Sequence, residues 1–359
     1  MKSADKLSSI SVVIPNRNDS AYLENCLNSV LYQSVLPDQI IFVDDQSSDN
    51  SLAMAEEILG GINVVQLISN STCLGTMGAL NEGLKKVTSD YVLFLSSNDF
   101  LVDGIFERAK YNIAATGSPG VWSAMVWAAN KNGIPLYRYP SPVIALKDKY
   151  FSPEKCVRLA LKTGNWFTGT TLIFHRKTLE NIGGLDEEYQ GLGDLFAALT
   201  ISSIKGAFFS PVPFGVMRLH TGGYMWRTLT DLDVLEAILA KIGERGQKLS
   251  PILFNSKFCD RTKHRFRFAA IRASQDNRWI IGHRNWFGAR YRFLKAACLL
   301  LGNRRKSRII LAFLLLRPFD VLTRIWYRLM GTIWTMARRT KASNITSQSI
   351  EDAHSAIDE

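Results

Sequence analysis

The sequence predicts an α/β protein built on a largely parallel sheet, and two patterns support this prediction. Short β-branched and apolar runs indicate strands at residues 10–14, 39–43, 62–68 and 91–95. Between these runs, apolar residues recur at helical spacing, as at Met77, Leu80, Leu84 and Val87. Strands that alternate with helices form a parallel sheet through right-handed crossovers, with helices on both faces.

The boundaries of the first elements follow from local chemistry. The first strand stops at Pro15, and the next helix begins at Asp19 or Ser20, both of which are favourable N-cap residues. Pro37 and Asp38 then turn the chain into the second strand. We expect the remaining strands and helices of the first half to alternate in the same way.

Each of the four predicted strands ends in polar residues. These ends are Pro15-Asn16-Arg17-Asn18, Asp44-Asp45-Gln46-Ser47-Ser48-Asp49, Asn70-Ser71-Thr72 and Ser96-Ser97-Asn98-Asp99. Parallel strands bind ligands beyond their carboxyl ends, so four polar clusters at one edge favour a site for a nucleotide base and ribose. A single such residue would more simply be a turn or cap residue. The sequence has no GxxxxGK[ST] and no GxGxxG after the first strand, which excludes a P-loop and disfavours a dinucleotide site.

Composition limits the remaining classes of protein to which the chain could belong. The five cysteines of the 359 residues form no CxxC pair, which disfavours a zinc ribbon and suits a reducing compartment. Residues 1–9 lack the apolar core of a secretory signal, and no run of about 20 apolar residues predicts a membrane span. The net charge of +11 is uneven, because residues 261–341 contain 20 basic and 2 acidic residues.

Four sequence blocks together resemble the family-2 glycosyltransferases. They are SVVIPNRN at residues 11–18, VDDQSSD at 43–49, ALNEG at 79–83 and DYVLFL at 90–95. Their order and spacing match that family over about residues 10–228. The resemblance implies a GT-A fold, with a mixed sheet and helices on both faces; the helical pattern after residue 228 adds a C-terminal helical extension. It also implies transfer of a sugar from a nucleotide-diphosphate donor.

The same resemblance assigns roles to individual residues. It places the donor nucleotide against Pro15, Asn16, Asn18, Asp45, Asn81 and Ser97. A polar, glycine-bearing loop at residues 164–170 belongs to the acceptor side. Asp194, preceded by Gly193 where the family has a second acid, matches the general base. Such a base takes the proton from the acceptor hydroxyl in a single displacement that inverts the anomeric carbon. An Asp at a helix start is also a common N-cap.

The metal motif departs from the family pattern. The usual Asp-x-Asp is Ser96-Ser97-Asn98 here, followed by Asp99. Mn²⁺ or Mg²⁺ prefers anionic oxygen ligands, and the remaining candidates are Asn98, Asp99 and His220. Four outcomes stay open: a weakly held metal, substitution by Asp99, catalysis without metal, or loss of catalysis.

Beyond residue 228 the pattern becomes helical. Leucines and Ile242 predict one helix that Gly243 and Gly246 end, and Ser250-Pro251 predicts the start of the next. We expect a GT-A domain at 1–228, a helical extension packed on it at 229–290, basic amphipathic helices at 291–341 and a disordered acidic tail at 342–359.

The basic helices predict the partners and the location. Their aromatic and aliphatic clusters suit an anionic membrane surface, and they would have no role on a nucleic acid, which we therefore exclude. The expected protein is peripheral on the inner face of the cell membrane, with a cytoplasmic active site. It would glycosylate a glycan or lipid-linked acceptor in surface polysaccharide biosynthesis. The alternative is a catalytically impaired scaffold that binds sugar nucleotides.

Overall fold

The computed structural model describes residues 7–138, 143–219 and 223–273. The strands are β1 Ile10–Asn16, β2 Gln39–Asp44, β3 Val65–Ser69, β4 Tyr91–Phe94, β5 Phe100–Leu101, β6 Val121–Ala129, β7 Pro135–Arg138, β8 Lys149–Phe151, β9 Ile173–His175 and β10 Ala207–Arg218. The helices are α1 Ser20–Leu31, α2 Ser51–Leu59, α3 Gly75–Leu84, α4 Ile105–Ala115, α5 Pro153–Thr163, α6 Arg176–Asn181, α7 Gly193–Lys205, α8 Tyr224–Thr230, α9 Leu232–Leu249 and α10 Ser256–Ala273.

The described strands form a single mixed sheet, which confirms the predicted α/β architecture. Its main order is β3-β2-β1-β4-β9-β6-β10-β5, with β7 beside β6 and β8 beside β10. The first four strands in this order are parallel, as are β6 and β10. The short strand β9 runs antiparallel to both β4 and β6 and joins the two parallel parts.

Two apolar layers cover the sheet, one on each face. Successive residues of a strand point to opposite faces, so Val12 packs in one layer and Val13 in the other. Helices α1, α2 and α4 cover the first face, and α3, α5 and α7 cover the second. The second layer continues into α9 and α10 through buried residues such as Leu235 and Phe258. These two helices therefore share the core of the sheet domain.

The predicted ends of the C-terminal helices were wrong. Helix α9 continues through Gly243 and Gly246 as far as Leu249. Gly246 serves packing here, because a β-carbon at this position would lie 2.3 Å from the ring of Phe254. Helix α10 begins at Ser256, not near Pro251, and Asn255 Oδ1 accepts a hydrogen bond from the backbone N–H of Phe258 at 3.0 Å.

The predictions for residues 274–359, including the basic amphipathic helices and the acidic tail, lie outside the described residues. Among the helices that are described, none combines the length and the apolar character needed to cross a bilayer.

The strand order fixes where a ligand site belongs. The order reverses between β1 and β4, because β2 and β3 lie on one side of β1 and the later strands lie on the other. Such a reversal opens a crevice beyond the carboxyl ends of the two central strands. The loops that follow β1, β2 and β4 border this crevice.

Candidate active site

The loops after β1 and β2 are joined by side-chain hydrogen bonds. Asn16 lies opposite Asp44 in the sheet, and its Nδ2 donates to Asp44 Oδ1 at 3.1 Å and to Ser47 Oγ at 3.0 Å. The backbone N–H of Asn18 donates to the same Ser47 hydroxyl at 3.0 Å. Pro15 and Asn16 are buried, whereas Asn18 is exposed and has a left-handed φ of 58°. Three of the predicted donor residues therefore lie together at the crevice.

Asp45 connects this edge to helix α3. Its Oδ1 accepts from the backbone N–H of Leu74 at 2.8 Å and from Asn70 Nδ2 at 3.0 Å, and its Oδ2 accepts from the N–H of Gly75 at 2.8 Å. Gly75 has a φ of 74°, which a residue with a side chain rarely adopts. The buried carboxylate thus satisfies backbone donors at the helix start that would otherwise lack partners. Its contact with a donor nucleotide stays a prediction.

Asn81 has a different set of contacts from the other predicted donor residues. Its Nδ2 donates to the carbonyl of Leu185 at 2.7 Å, and its Oδ1 accepts from the N–H of the same residue at 3.3 Å. Both ends of the amide therefore link α3 to the turn that precedes the candidate base. These contacts favour a structural role for Asn81, and its donor role stays a prediction.

The loop after β4, residues 96–99, is held largely by its own polar groups and by α1. Ser97 is buried, and its Oγ donates to Asp19 Oδ2 at 2.6 Å. Ser96 is exposed, and its Oγ donates to Asn98 Oδ1 at 2.9 Å. Asp19 makes no side-chain cap bond to α1, so its predicted role as an N-cap is replaced by the bond to Ser97.

Asp99 is buried behind this loop. Its Oδ1 accepts from the backbone N–H of Arg218 at 2.9 Å, and its Oδ2 accepts from Thr170 Oγ1 at 2.8 Å. Desolvation raises the pKa of Asp99 to about 6, although both hydrogen bonds and the Arg218 guanidinium favour the ionised form. The side chain is a fixed internal connection between the loop after β4, β10 and the turn that contains Thr170.

These residues do not fit a divalent-metal site. Asn98 supplies a neutral oxygen that already accepts a hydrogen bond, and both oxygens of Asp99 have partners. Within the described residues, no three His, Cys, Asp or Glu side chains group as metal ligands. His220, the third predicted ligand, lies outside the described residues. A Mn²⁺ or Mg²⁺ site built on Asn98 and Asp99 is therefore not supported by their contacts.

The candidate base, Asp194, lies in the first turn of α7. Its Oδ1 accepts from the N–H of Leu195 at 2.7 Å, which holds the carboxylate at the helix start. Its Oδ2 faces Gly169, where an added β-carbon would lie only 2.4 Å away. Desolvation raises the pKa of Asp194 to about 6, and the backbone hydrogen bonds only partly oppose this effect. The side chain nevertheless keeps partial exposure.

A short 3₁₀ turn, Gly169–Thr171, connects the two acids. Thr170 bonds Asp99, and the neighbouring Gly169 contacts Asp194. The polar loop at residues 164–170 was a sequence signal for this region, but nothing in the sequence paired Thr170 with Asp99. Ser47 belongs to the polar end predicted for the second strand, but the sequence carried no signal for its bonds to Asn16 and Asn18.

A cavity of about 360 Å³ lies between the start of α3 and α8. Its lining includes Gly75, Glu187, Gln190, Tyr224 and Arg227. Gln190 has a φ of 43° and a ψ of −131°, a backbone conformation that residues with side chains rarely adopt. Because Asp45 caps the same end of α3, the cavity adjoins the edge of the sheet that is predicted to bind the donor.

Comparison with known proteins shows similarity to one family. Residues 11–135 match the family model described as Glycosyl transferase family 2. This stretch of the chain is therefore similar to glycosyltransferase family 2. One curated relative is the poly(ribitol-phosphate) beta-glucosyltransferase of Bacillus spizizenii, 27% identical over 173 residues, which are 46% of this chain and 27% of that protein. The aligned parts span only 27% to 40% of the length of three curated relatives.

Solved structures of similar fold support the assignment of the chain to the GT-A fold. S. aureus TarS 1–349 in complex with UDP-GlcNAc has a TM-score of 0.58 at 18% identity, with 92% of both chains covered. The mannosyltransferase PcManGT from Pyrobaculum calidifontis, in complex with GDP-Man and Mn²⁺, has a TM-score of 0.55 at 17% identity, covering 90% of this chain and 88% of that one. The predicted fold is thereby confirmed.

Proposed function

We propose that this chain is an inverting glycosyltransferase that moves a sugar from a nucleotide-diphosphate donor to an acceptor hydroxyl. The donor nucleotide binds at the edge formed by Asn16, Asn18 and Asp45, and Asp194 is the general base. The observation that supports this most is the partly exposed carboxylate of Asp194, which adjoins the same turn that holds the loop after β4. The match of residues 11–135 to glycosyltransferase family 2 and the GT-A fold agree with it.

The reaction is a single displacement. The acceptor oxygen attacks the anomeric carbon while the bond from that carbon to the donor diphosphate breaks. The proton of the acceptor hydroxyl passes to Asp194, and the nucleoside diphosphate leaves with the bonding electrons. Attack from the face opposite the leaving group inverts the anomeric configuration.

The electrostatics of Asp194 suit a general base. A carboxylate with a pKa of about 6 is mostly ionised at neutral pH and is a stronger base than an ordinary aspartate. Burial against the 3₁₀ turn provides this shift, and the N–H of Leu195 keeps one oxygen fixed. The second oxygen then remains for the acceptor proton.

The proposed acceptor is a glycan or a lipid-linked carrier in the synthesis of a surface polysaccharide. The name of the Bacillus relative, a poly(ribitol-phosphate) beta-glucosyltransferase, supports a polymeric acceptor. The 20 basic residues of the 261–341 segment support attraction to the anionic inner face of the cell membrane. An active site on the cytoplasmic side follows from that location.

Two measurements test the proposal in order. Thermal denaturation with a panel of nucleotide sugars should reveal the donor, because a ligand that binds the folded state raises the melting temperature. Transfer or slow hydrolysis of that donor is then compared between the wild type and Asp194→Asn, which should lose about 10²-fold or more in rate. Near-normal turnover by the variant would remove Asp194 as the base.

The neutral Ser96 and Asn98 favour one alternative, a protein that binds sugar nucleotides without turning them over. The same panel distinguishes the two functions. A donor that stabilises the fold but is neither transferred nor hydrolysed would support the scaffold. Measurable release of nucleoside diphosphate by the wild type would support the enzyme.

A further inference from the structure

The loop after β4 lacks the charge that a divalent cation needs. Positions 96 and 98 are Ser and Asn, and the side chains of Ser96 and Asn98 bond each other at 2.9 Å. The serine between them, Ser97, is buried and bonded to Asp19. Mg²⁺ and Mn²⁺ sites require hard, anionic oxygens, and this loop presents no free carboxylate at these three positions.

The carboxylate that follows does not replace the missing ones. Asp99 is 5% exposed, and each of its oxygens accepts a hydrogen bond from a fixed donor, Thr170 Oγ1 or the Arg218 backbone. To bind a metal at the crevice, Asp99 would have to leave this buried position.

Arg218 places a positive charge directly against this loop. Its guanidinium donates to the carbonyl oxygen of Asn98 and to Asn25 Oδ1, and it lies 5.0 Å from the ring centres of both Tyr22 and Phe100. These four contacts fix the guanidinium where it supports the loop backbone. A divalent cation held by Asn98 would be repelled by this neighbouring charge.

We propose that the donor-binding loop of this chain works without a divalent cation. Hydrogen bonds of the loop with Asp19, Thr170 and Arg218 fix its shape without a metal. The charge of the donor diphosphate is balanced by cations of the protein itself. Arg227, exposed on the cavity beside the start of α3, is one described cation near that edge. This inference rests on the proposed function, because it concerns the same donor site.

The test compares nucleotide binding with and without metal. Full-length protein is titrated calorimetrically with UDP, GDP, CDP and ADP, in excess EDTA and in excess Mn²⁺. For the wild type, the dissociation constants of the nucleotide that binds should differ by less than about threefold between the two conditions. A tightening of about tenfold or more in Mn²⁺ would overturn the inference and leave the proposed function intact.

A variant that restores the missing carboxylates provides the positive comparison. Ser96→Asp with Asn98→Asp adds two anionic oxygens at exposed and half-buried positions. Its nucleotide affinity should rise about tenfold or more on addition of Mn²⁺. When the variant is added to a mixture of Mn²⁺ and nucleotide, free Mn²⁺ measured by electron paramagnetic resonance should fall further. Ala237→Asp with Ala240→Asp adds the same charge on the exposed face of α9 and should show neither effect.

The outcomes separate the two claims. If no nucleotide binds in either condition, the proposed function fails, and the inference fails with it. If the double variant does not fold, the wild-type comparison still decides, and Asn98→Asp alone repeats the test with one added charge. Wild-type protein that lowers free Mn²⁺ as strongly as the variant would also overturn the inference.

Discussion

Gly169→Ala should disable the candidate base while leaving the rest of the site in place. An ideal β-carbon on Gly169 would lie 2.4 Å from Asp194 Oδ2, whereas ordinary van der Waals contact begins at 3.4 Å. The carboxylate or the turn must therefore move by about 1 Å, and a misplacement of this size costs about 10²-fold in rate. This corresponds to about 2.7 kcal/mol in activation free energy. Gly169 does not have a left-handed φ, so the backbone itself accepts alanine.

The assay measures three quantities on the purified variant. They are the turnover number with the donor that the thermal panel identifies, the donor dissociation constant, and the melting temperature. We expect the turnover number to fall about 10²-fold and the donor affinity to change little, because the clash involves only the Asp194 side. Gly243→Ala is the matched control, since its added carbon would meet only Cys259 Sγ, at 3.5 Å.

A double-mutant cycle makes the result specific. In the Asp194→Asn background the added methyl group has no base left to displace, so Gly169→Ala should reduce the rate little further. Full turnover by Gly169→Ala at an unchanged melting temperature would refute the assignment of Asp194. Equal losses in both backgrounds would instead indicate that the turn acts through another group.

Three further results should follow. Transfer should rise with pH through about 6 as Asp194 ionises. Its pKa is higher in the folded than in the unfolded state, so ionisation costs the folded state stability as pH rises from about 4 to 6. Asp194→Asn should therefore raise the unfolding free energy by about 1–3 kcal/mol at pH 7.5 and change it little at pH 4, as measured by denaturation. Asp45→Ala should lower the unfolding free energy by about 2–3 kcal/mol and abolish donor binding measured by calorimetry. Asn81→Ala removes only the bonds to Leu185, so it should lower the unfolding free energy but leave donor binding unchanged. Full-length protein should sediment with anionic liposomes, more weakly with neutral ones, and be partly released by salt.

The sequence could predict the fold because local and global signals agree. Each strand of the first half is a short apolar run bounded by polar or proline residues, and these runs became β1, β2, β3 and β4 with ends shifted by a few residues. The antiparallel β9 was harder to anticipate. The apolar residues near 171–174 predict a strand, but they do not predict that it pairs with β4 and β6. That pairing depends on how the two parallel parts of the sheet meet.

The candidate site was predictable only as a set of positions. Strand ends identify which loops border the crevice, and Asn16, Asn18 and Asp45 indeed lie there. Which atoms those side chains bond depends on contacts between residues far apart in the chain, such as Asn81 with Leu185 or Asp99 with Thr170. Residue type alone gives no information on such pairs, so the predicted ligand role of Asp99 did not anticipate its buried bonds.

The 3₁₀ turn explains how the two halves of the site stay in register. Thr171 anchors the turn to β6, where its Oγ1 donates to a backbone carbonyl at 2.7 Å. Thr170 then holds Asp99 behind the donor loop, and Gly169 leaves room for the carboxylate of Asp194. Thr170 contacts the proposed donor side of the site, and Gly169 contacts the candidate base. If Gly169→Ala lowers the rate but leaves donor affinity unchanged, its effect therefore lies at the candidate base. A change at Thr170 should instead act first on the loop after β4, since Asp99 would lose one of its two fixed donors.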